Sequence, residues 1–281
     1  MEKIGYVATV GMFDGVHRGH QFVLRQVVER ARQSGLQSLC ITFDHSPRRE
    51  QVLTPLDEKL QLIRQAGIDR CEVLQFTPAL KALTARQFME QTLREQFGVQ
   101  VLLTGYDNRF GHNREEGFND YVRYGRELDI EVAALPAEGE VSSSAIRQQL
   151  QKGLVDEAAA LLGRPYSMTG RVTHGHHIGT GLGYPTANVT PADHRQLIPA
   201  NGVYAVRCGQ RKGMMNIGTR PTFDGRQRTL EVHLFNYEGD LYGQPLTIDF
   251  VSRLREERPF DSPEALTEQL KKDAAEAQQR L

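Results

Sequence analysis

The rhythm of apolar runs changes at Gly163-Arg164-Pro165, and that change divides the chain into two kinds of fold. Before it, short β-branched runs at 4–10, 38–43, 71–76, 99–103 and 131–135 alternate with amphipathic helical patterns. That is the βαβ rhythm of a parallel sheet. The first helix shows Leu24, Val27, Val28 and Ala31 at i, i+3, i+4 and i+7, and Gly35 supplies its stop. Thr54-Pro55 predicts a cap followed by proline in a first turn, and Thr84 to Gln87 a capping box. Helices over 144–150 and 155–162 close this half. After Pro165 come strands at 167–173, 187–190, 203–207, 213–217, 229–235 and 246–254, joined by Gly- and Pro-rich loops. Regular short strands favour a small antiparallel barrel, and Ser262-Pro263-Glu264 caps a terminal helix. The expected class is α/β plus β: a Rossmann-like domain over 1–162 and a β-barrel domain over 163–281.

Length agrees, since 281 residues suffice for two cores at roughly 150 residues per domain. Lys and Arg number 34 against 35 Asp and Glu, so the formal charge is −1. A general nucleic-acid or anionic-membrane surface needs a cationic excess, so neither partner is expected, whereas a local cationic pocket is compatible. Cys40, Cys71 and Cys208 are far apart and odd in number, so no disulfide framework is expected. Cys40 and Cys71 lie in apolar runs as inert thiols, which suits a reducing cytoplasm. No basic-then-apolar leader opens the chain and no apolar run reaches about 18 residues, so a cytoplasmic location is expected. Oligomeric state is left open by these patterns.

The first apolar run leads directly into Gly11-Met12-Phe13-Asp14-Gly15-Val16-His17-Arg18-Gly19-His20, and a helix follows. Glycines permit close backbone approach, and free N–H groups at a helix start favour an anion by about 0.3–2 kcal/mol. Gly11, Phe13, Asp14, Gly15 and Gly19 thus outline a phosphate site. His17 and His20, three residues apart, face one side and offer N–H donors to phosphate oxygens. Either histidine alone is more readily a structural residue. Together with the glycines, directly after a strand, they point to a ligand.

This string resembles the nucleotidyltransferase signature His-x-Gly-His, and its longer form Gly-x-Phe-Asp-Gly-x-His-x-Gly-His resembles the bacterial bifunctional riboflavin kinase/FMN adenylyltransferases, the FAD synthetases. Val141 to Arg147 resembles the second signature of that family, Ile-Ser-Ser-Thr-x-x-Arg, with Ser144 in place of Thr. Hydroxyls of Ser142, Ser143 and Ser144 at a helix start, with Arg147 one turn in, suit a polyphosphate. The resemblance implies adenylyl transfer, in which an FMN phosphate oxygen attacks the α-phosphorus of ATP and pyrophosphate leaves. His17, His20 and Arg147 would align the anions, with Mg²⁺ on the phosphates.

In the second half, residues 173–183 hold three histidines and several glycines before Tyr184-Pro185-Thr186-Ala187-Asn188. Adjacent His176 and His177 lack zinc-site spacing, and Pro185 follows the glycines where a dinucleotide fingerprint would need a helix. The segment instead resembles the riboflavin-kinase signature Gly-x-x-Gly-Arg-x-Leu-Gly-Phe/Tyr-Pro-Thr-Ala-Asn. The resemblance implies that Gly175, Gly179, Gly183, Tyr184 and Pro185 line the ATP phosphates and that Thr186 and Asn188 bind Mg²⁺, a role hard oxygens suit. It places Glu231 at the position of the base that takes the riboflavin 5′-hydroxyl proton. Asp107 and Arg255 fall at flavin or nucleotide contacts.

Besides Ser144, three positions depart from the family pattern: Ser46, with His45 one place early, Asn108 in place of an aromatic, and Thr180 in place of Arg. The expected function is phosphorylation of riboflavin to FMN followed by adenylylation to FAD, with riboflavin, FMN, FAD and ATP as partners. The alternatives are a riboflavin kinase with a weak or inactive adenylyltransferase half, a different nucleotidyltransferase, and a non-catalytic flavin-binding protein.

Overall fold

The computed structural model describes residues 4–45, 50–105, 108–112, 115–136, 139, 141–173, 184–222 and 225–281, with backbone alone at 220–222 and 225–227. Two compact units emerge, Met1–Ser142 and Ser143–Leu281.

The first unit is a five-stranded parallel sheet in the order β3-β2-β1-β4-β5. Its strands are β1 (Tyr6–Val10), β2 (Gln37–Phe43), β3 (Arg70–Leu74), β4 (Val99–Gly105) and β5 (Glu131–Leu135). Between them run α1 (Arg18–Ser34), α2 (Leu56–Gln65), α3 (Pro78–Ala82), α4 (Ala85–Gln87) continuing as a π-helical stretch over Phe88–Gln96, and α5 (Phe118–Leu128). Period-two alternation sends Tyr6, Ala8 and Val10 to one core and Val7 to another, so apolar clusters cover both faces of the sheet. Leu24, Val27 and Ala31 of α1 pack into the second cluster as their spacing predicts. Each fully buried Leu or Val contributes about 1.5–3 kcal/mol relative to exposure.

Capping follows the sequence in most places. Gly35 ends α1 with φ 66°, Thr84 and Gln87 close the capping box, and Ser262 caps the last helix. Thr54 departs: Pro55 occupies the N-cap of α2 and no side chain caps it. The Thr54 backbone N–H instead donates to Asp14, a tertiary partner that local spacing does not reveal.

In the second unit, β6 (Tyr166–Thr173), β7 (Ala187–Pro191), β8 (Gly202–Cys208), β9 (Arg211–Thr222), β10 (Gly225–Leu234) and β11 (Pro245–Arg255) form a closed antiparallel barrel in the order β10-β7-β6-β11-β8-β9. Helices α6 (Ser143–Lys152) and α7 (Val155–Leu162) precede it and α8 (Pro263–Arg280) follows. The expected boundary lies after α7, yet by packing both helices belong with the barrel. Arg253 of β11 donates to the Lys152 carbonyl, the Leu150 carbonyl accepts from Ala200, and α7 buries Val155, Ala158 and Leu162. All three cysteines are free; Cys40 and Cys208 are buried and Cys71 is half-buried, and burial pushes the Cys208 thiol up to about 12.

The terminal helix is fastened by one buried ion pair. Asp273 of α8 is 1% exposed and takes three N–H bonds of 2.8–3.0 Å from Arg255. Phe260 lies 5.5 Å from the same guanidinium. Removing one partner of a buried pair strands the other, so Asp273→Ala is expected to lower the stability of this unit by about 3–5 kcal/mol in denaturant unfolding. A loss below about 1 kcal/mol would reduce the pair to the weight of a surface contact.

Candidate active sites

The turn between β1 and α1 sits at the carboxyl ends of the parallel strands, where β1 lies between β2 and β4. Open α/β sheets bind ligands at such a point. Three of its residues take positive φ: Phe13 at 50°, Gly15 at 86° and Val16 at 39°. Glycine adopts this region freely, but a β-branched valine pays for it. The strain is held by neighbours: Gln21 Nε2 donates to the Val16 carbonyl at 2.9 Å, and Val16 N–H donates to the Phe13 carbonyl at 3.1 Å.

His17 is the N-cap of α1, a position outside the usual Ser, Thr, Asp and Asn set. Its Nδ1 accepts the His20 backbone N–H at 3.3 Å, which in the neutral ring leaves the proton on Nε2. The two imidazoles stack with centroids 3.6 Å apart, and Phe13 meets His20 edge-on at 5.1 Å. His20 Nδ1 is buried and has no hydrogen-bond partner among the described residues. Burial, then the neighbouring His17, then Lys59 hold the His20 ring well below the ordinary imidazole range, so it is neutral near pH 7. The two rings that the spacing puts on one side of the helix start thus stack against each other.

Phe13 and Asp14 take supporting positions. Phe13 is buried beside His20, and Asp14 Oδ1 accepts backbone N–H bonds from Leu53 at 2.9 Å and Thr54 at 3.3 Å. Gly11 N–H bonds the Ile41 carbonyl at 3.0 Å, and a Cβ there would press on the Phe13 ring at 3.1 Å. Gly19 lies against His17, and a Cβ on it would come within 3.9 Å of the Val141 carbonyl. The Val141 carbonyl, near the end of this unit, thus lies beside the two-histidine turn. Asn108 donates from Nδ2 to the Val10 carbonyl, tying the chain after β4 to the end of β1. Ser143 and Ser144 begin α6, and Arg147, buried in it, donates to the Ser143 carbonyl at 3.1 Å.

On the barrel, strand register assembles the second group. Glu231 of β10 stands directly opposite Asn188 of β7, and on its other side opposite Asn216 of β9; Thr173 of β6 continues the row beyond Asn188. Directly opposed residues share a face of the sheet. Along β10 the buried residues are Leu230, Val232 and Leu234, so Glu231 and His233 occupy the other face, both half-buried. His233 Nδ1 donates to the Pro185 carbonyl at 2.8 Å, and its ring meets Tyr184 at 5.2 Å. Thr186 directly precedes β7. The Arg255 guanidinium is engaged by Asp273, which gives it an anchoring place in the fold.

Asp107, Gly175, Gly179 and Gly183, like Ser46 and Thr180, lie outside the described residues. Asn216, His233 and Lys59 were not singled out by sequence reasoning. An asparagine inside the apolar run Met214 to Ile217 was the available signal for the first, since Asn is depleted in strands.

Two family models match the chain: FAD synthetase over residues 1–147 and riboflavin kinase over residues 162–281. A bifunctional riboflavin kinase/FMN adenylyltransferase from Pseudomonas fluorescens is 40% identical, over 98% of this chain and 93% of the relative. The chain belongs to the bifunctional riboflavin kinase/FMN adenylyltransferase family. A relative of the same description from Escherichia coli K12 is 36% identical over 98% of this chain and 92% of its own length. A solved structure described as a macrolide-efflux protein from Streptococcus pneumoniae has a TM-score of 0.89 and 32% identity, covering 98% of this chain and 94% of that one. Among the described residues no helix is long and apolar enough to cross a membrane. The FAD synthetase match takes in the two-histidine turn and Arg147, and the riboflavin kinase match takes in Asn188 and Glu231.

Proposed function

We propose that this bifunctional riboflavin kinase/FMN adenylyltransferase makes FMN on the barrel and FAD at the turn after β1, with functional halves 1–162 and 163–281. The observation that carries the kinase reading is the register of Glu231 against Asn188. A carboxylate beside neutral hard-oxygen donors suits a base next to a metal-bound polyphosphate. Glu231 takes the proton from the riboflavin 5′-hydroxyl as that oxygen attacks the γ-phosphorus, and ADP leaves. The Asn188 amide oxygen and the Thr186 hydroxyl would hold Mg²⁺, which when bound draws off negative charge from the phosphates. Tyr184, Pro185 and the glycines 175, 179 and 183 line the ATP phosphates.

At the other site, ATP and FMN present two anions that must meet in line. His17 and His20 offer ring N–H donors, and, as the family signature implies, Arg147 would add a cation and Ser142 to Ser144 hydroxyl donors. The FMN phosphate oxygen attacks the α-phosphorus and pyrophosphate departs. Gly11, Gly15 and Gly19 keep the backbone low beneath the phosphates, with Asp107 as the flavin-side contact. Phe13 and Asp14 act in support of this turn, through the contacts described above, and on the barrel Arg255 serves as a flavin or nucleotide contact.

Incubating the full chain with riboflavin, ATP and Mg²⁺ and separating the flavins is expected to yield FMN and then FAD. FMN alone would remove the adenylyltransferase and leave the kinase alternative. Neither product, with tight flavin binding, would leave a binding protein.

A further inference from the structure

Lys59 of α2 is 5% exposed, an unusual place for a cation unless something holds it there. Its ammonium donates to the Phe43 carbonyl at 2.8 Å, at the end of β2, and to the Met12 carbonyl at 3.2 Å, inside the two-histidine turn. Thr42 Oγ1 donates to the same Met12 carbonyl at 3.2 Å. The next residue, Phe13, is the first of the positive-φ residues and packs on His20. Lys59 therefore fastens the end of β2 to the root of the strained turn. It also lies close enough to act electrostatically on His20.

We infer that Lys59 is a positioning residue of the adenylyl-transfer site: it fixes the Met12 carbonyl beneath the turn and keeps a positive charge behind His20. This rests on the reading of that turn as the FMN adenylyltransferase site. Burial lowers the proton affinity of Lys59, and the carboxylates of Asp14 and Asp44 partly offset it. The groups facing His20 are His17 and Lys59, both of which disfavour its protonation. A His20 ring that stays uncharged presents one N–H of fixed direction, and a mobile proton there would blur which nitrogen donates.

The test uses the full chain with Lys59→Gln and Lys59→Arg. Lys59→Gln is expected to cut kcat/KM for FAD formation from supplied FMN by about 10- to 100-fold, as misplacement of a reacting geometry does. It is also expected to raise the pH at which His20 titrates, followed by NMR of labelled histidine, because a buried positive charge that disfavours its protonation is gone. Lys59→Arg keeps the charge but cannot keep both carbonyl contacts in the same geometry. It is expected to leave the His20 titration in place and to lose rate by a smaller factor. Riboflavin phosphorylation should be unchanged in both variants.

A Lys59→Gln protein with full adenylylation, or one with an unmoved His20 titration, overturns the inference. So does Lys59→Arg with an altered titration or an undiminished rate, which keeps the test intact if the glutamine variant does not fold. A wild-type chain that makes no FAD from FMN sinks the underlying reading instead, and the two failures are therefore distinct.

Discussion

Glu231→Gln is expected to lower riboflavin phosphorylation by about 10²- to 10⁴-fold, the range over which a positioned general base contributes. The glutamine side chain matches the size of the carboxylate and remains opposite Asn188 and Asn216, so the barrel ladder has no reason to change. What it loses is the capacity to accept the 5′-hydroxyl proton. FAD formation from supplied FMN should continue at the wild-type rate, because Glu231 belongs to the riboflavin kinase match and the two-histidine turn to the FAD synthetase match. Loss of both activities would contradict independent sites. A variant that phosphorylates riboflavin normally would remove Glu231 from the base role.

His20→Ala is expected to produce the converse, a loss of about 10²- to 10³-fold in FAD formation, comparable with deleting one donor aimed at developing charge. Phosphorylation of riboflavin should be untouched. The stacked geometry sharpens the prediction: His17 leans on the His20 ring at 3.6 Å and caps α1 through the His20 N–H. His17→Asn, which retains a capping oxygen, should therefore keep the helix start and lose the Nε2–H donor. Equal loss in His17→Asn and His17→Ala would locate the effect in phosphate contact, whereas a much milder asparagine variant would locate it in the cap. Flavin separation after incubation with FMN and ATP reads both.

Much of this was legible beforehand because local signals and tertiary demands agree. The alternation in β1 and the i, i+3, i+4 spacing in α1 each encode which face is buried, and the core uses those faces. Even the short β7 was marked by its apolar and β-branched residues. The turn after β1 was legible as a motif but not as a conformation. Nothing in Phe13 or Val16 announces positive φ; the surrounding contacts impose it. Thr54 looked like a cap because a Thr-Pro pair usually is one, but Asp14, some forty residues earlier, claims its N–H. The π-helical stretch over Phe88–Gln96 likewise has no local signature. Lys59 was invisible for a related reason: on an amphipathic helix a lysine reads as solvated, and only the fold brings the carbonyls of Met12 and Phe43 to it.

The Glu231 register also bears on how sequences of this kind can drift in length. Side chains on a strand alternate, so one residue added or removed in β10 between Gly225 and Glu231 would turn the carboxylate inward and carry Leu230 or Val232 outward. The same change between Thr222 and Gly225, where β9 passes into β10, leaves every later pair in place. Insertions and deletions should therefore gather at that junction or arrive in twos along the strand, so that parity is guarded together with the carboxylate itself.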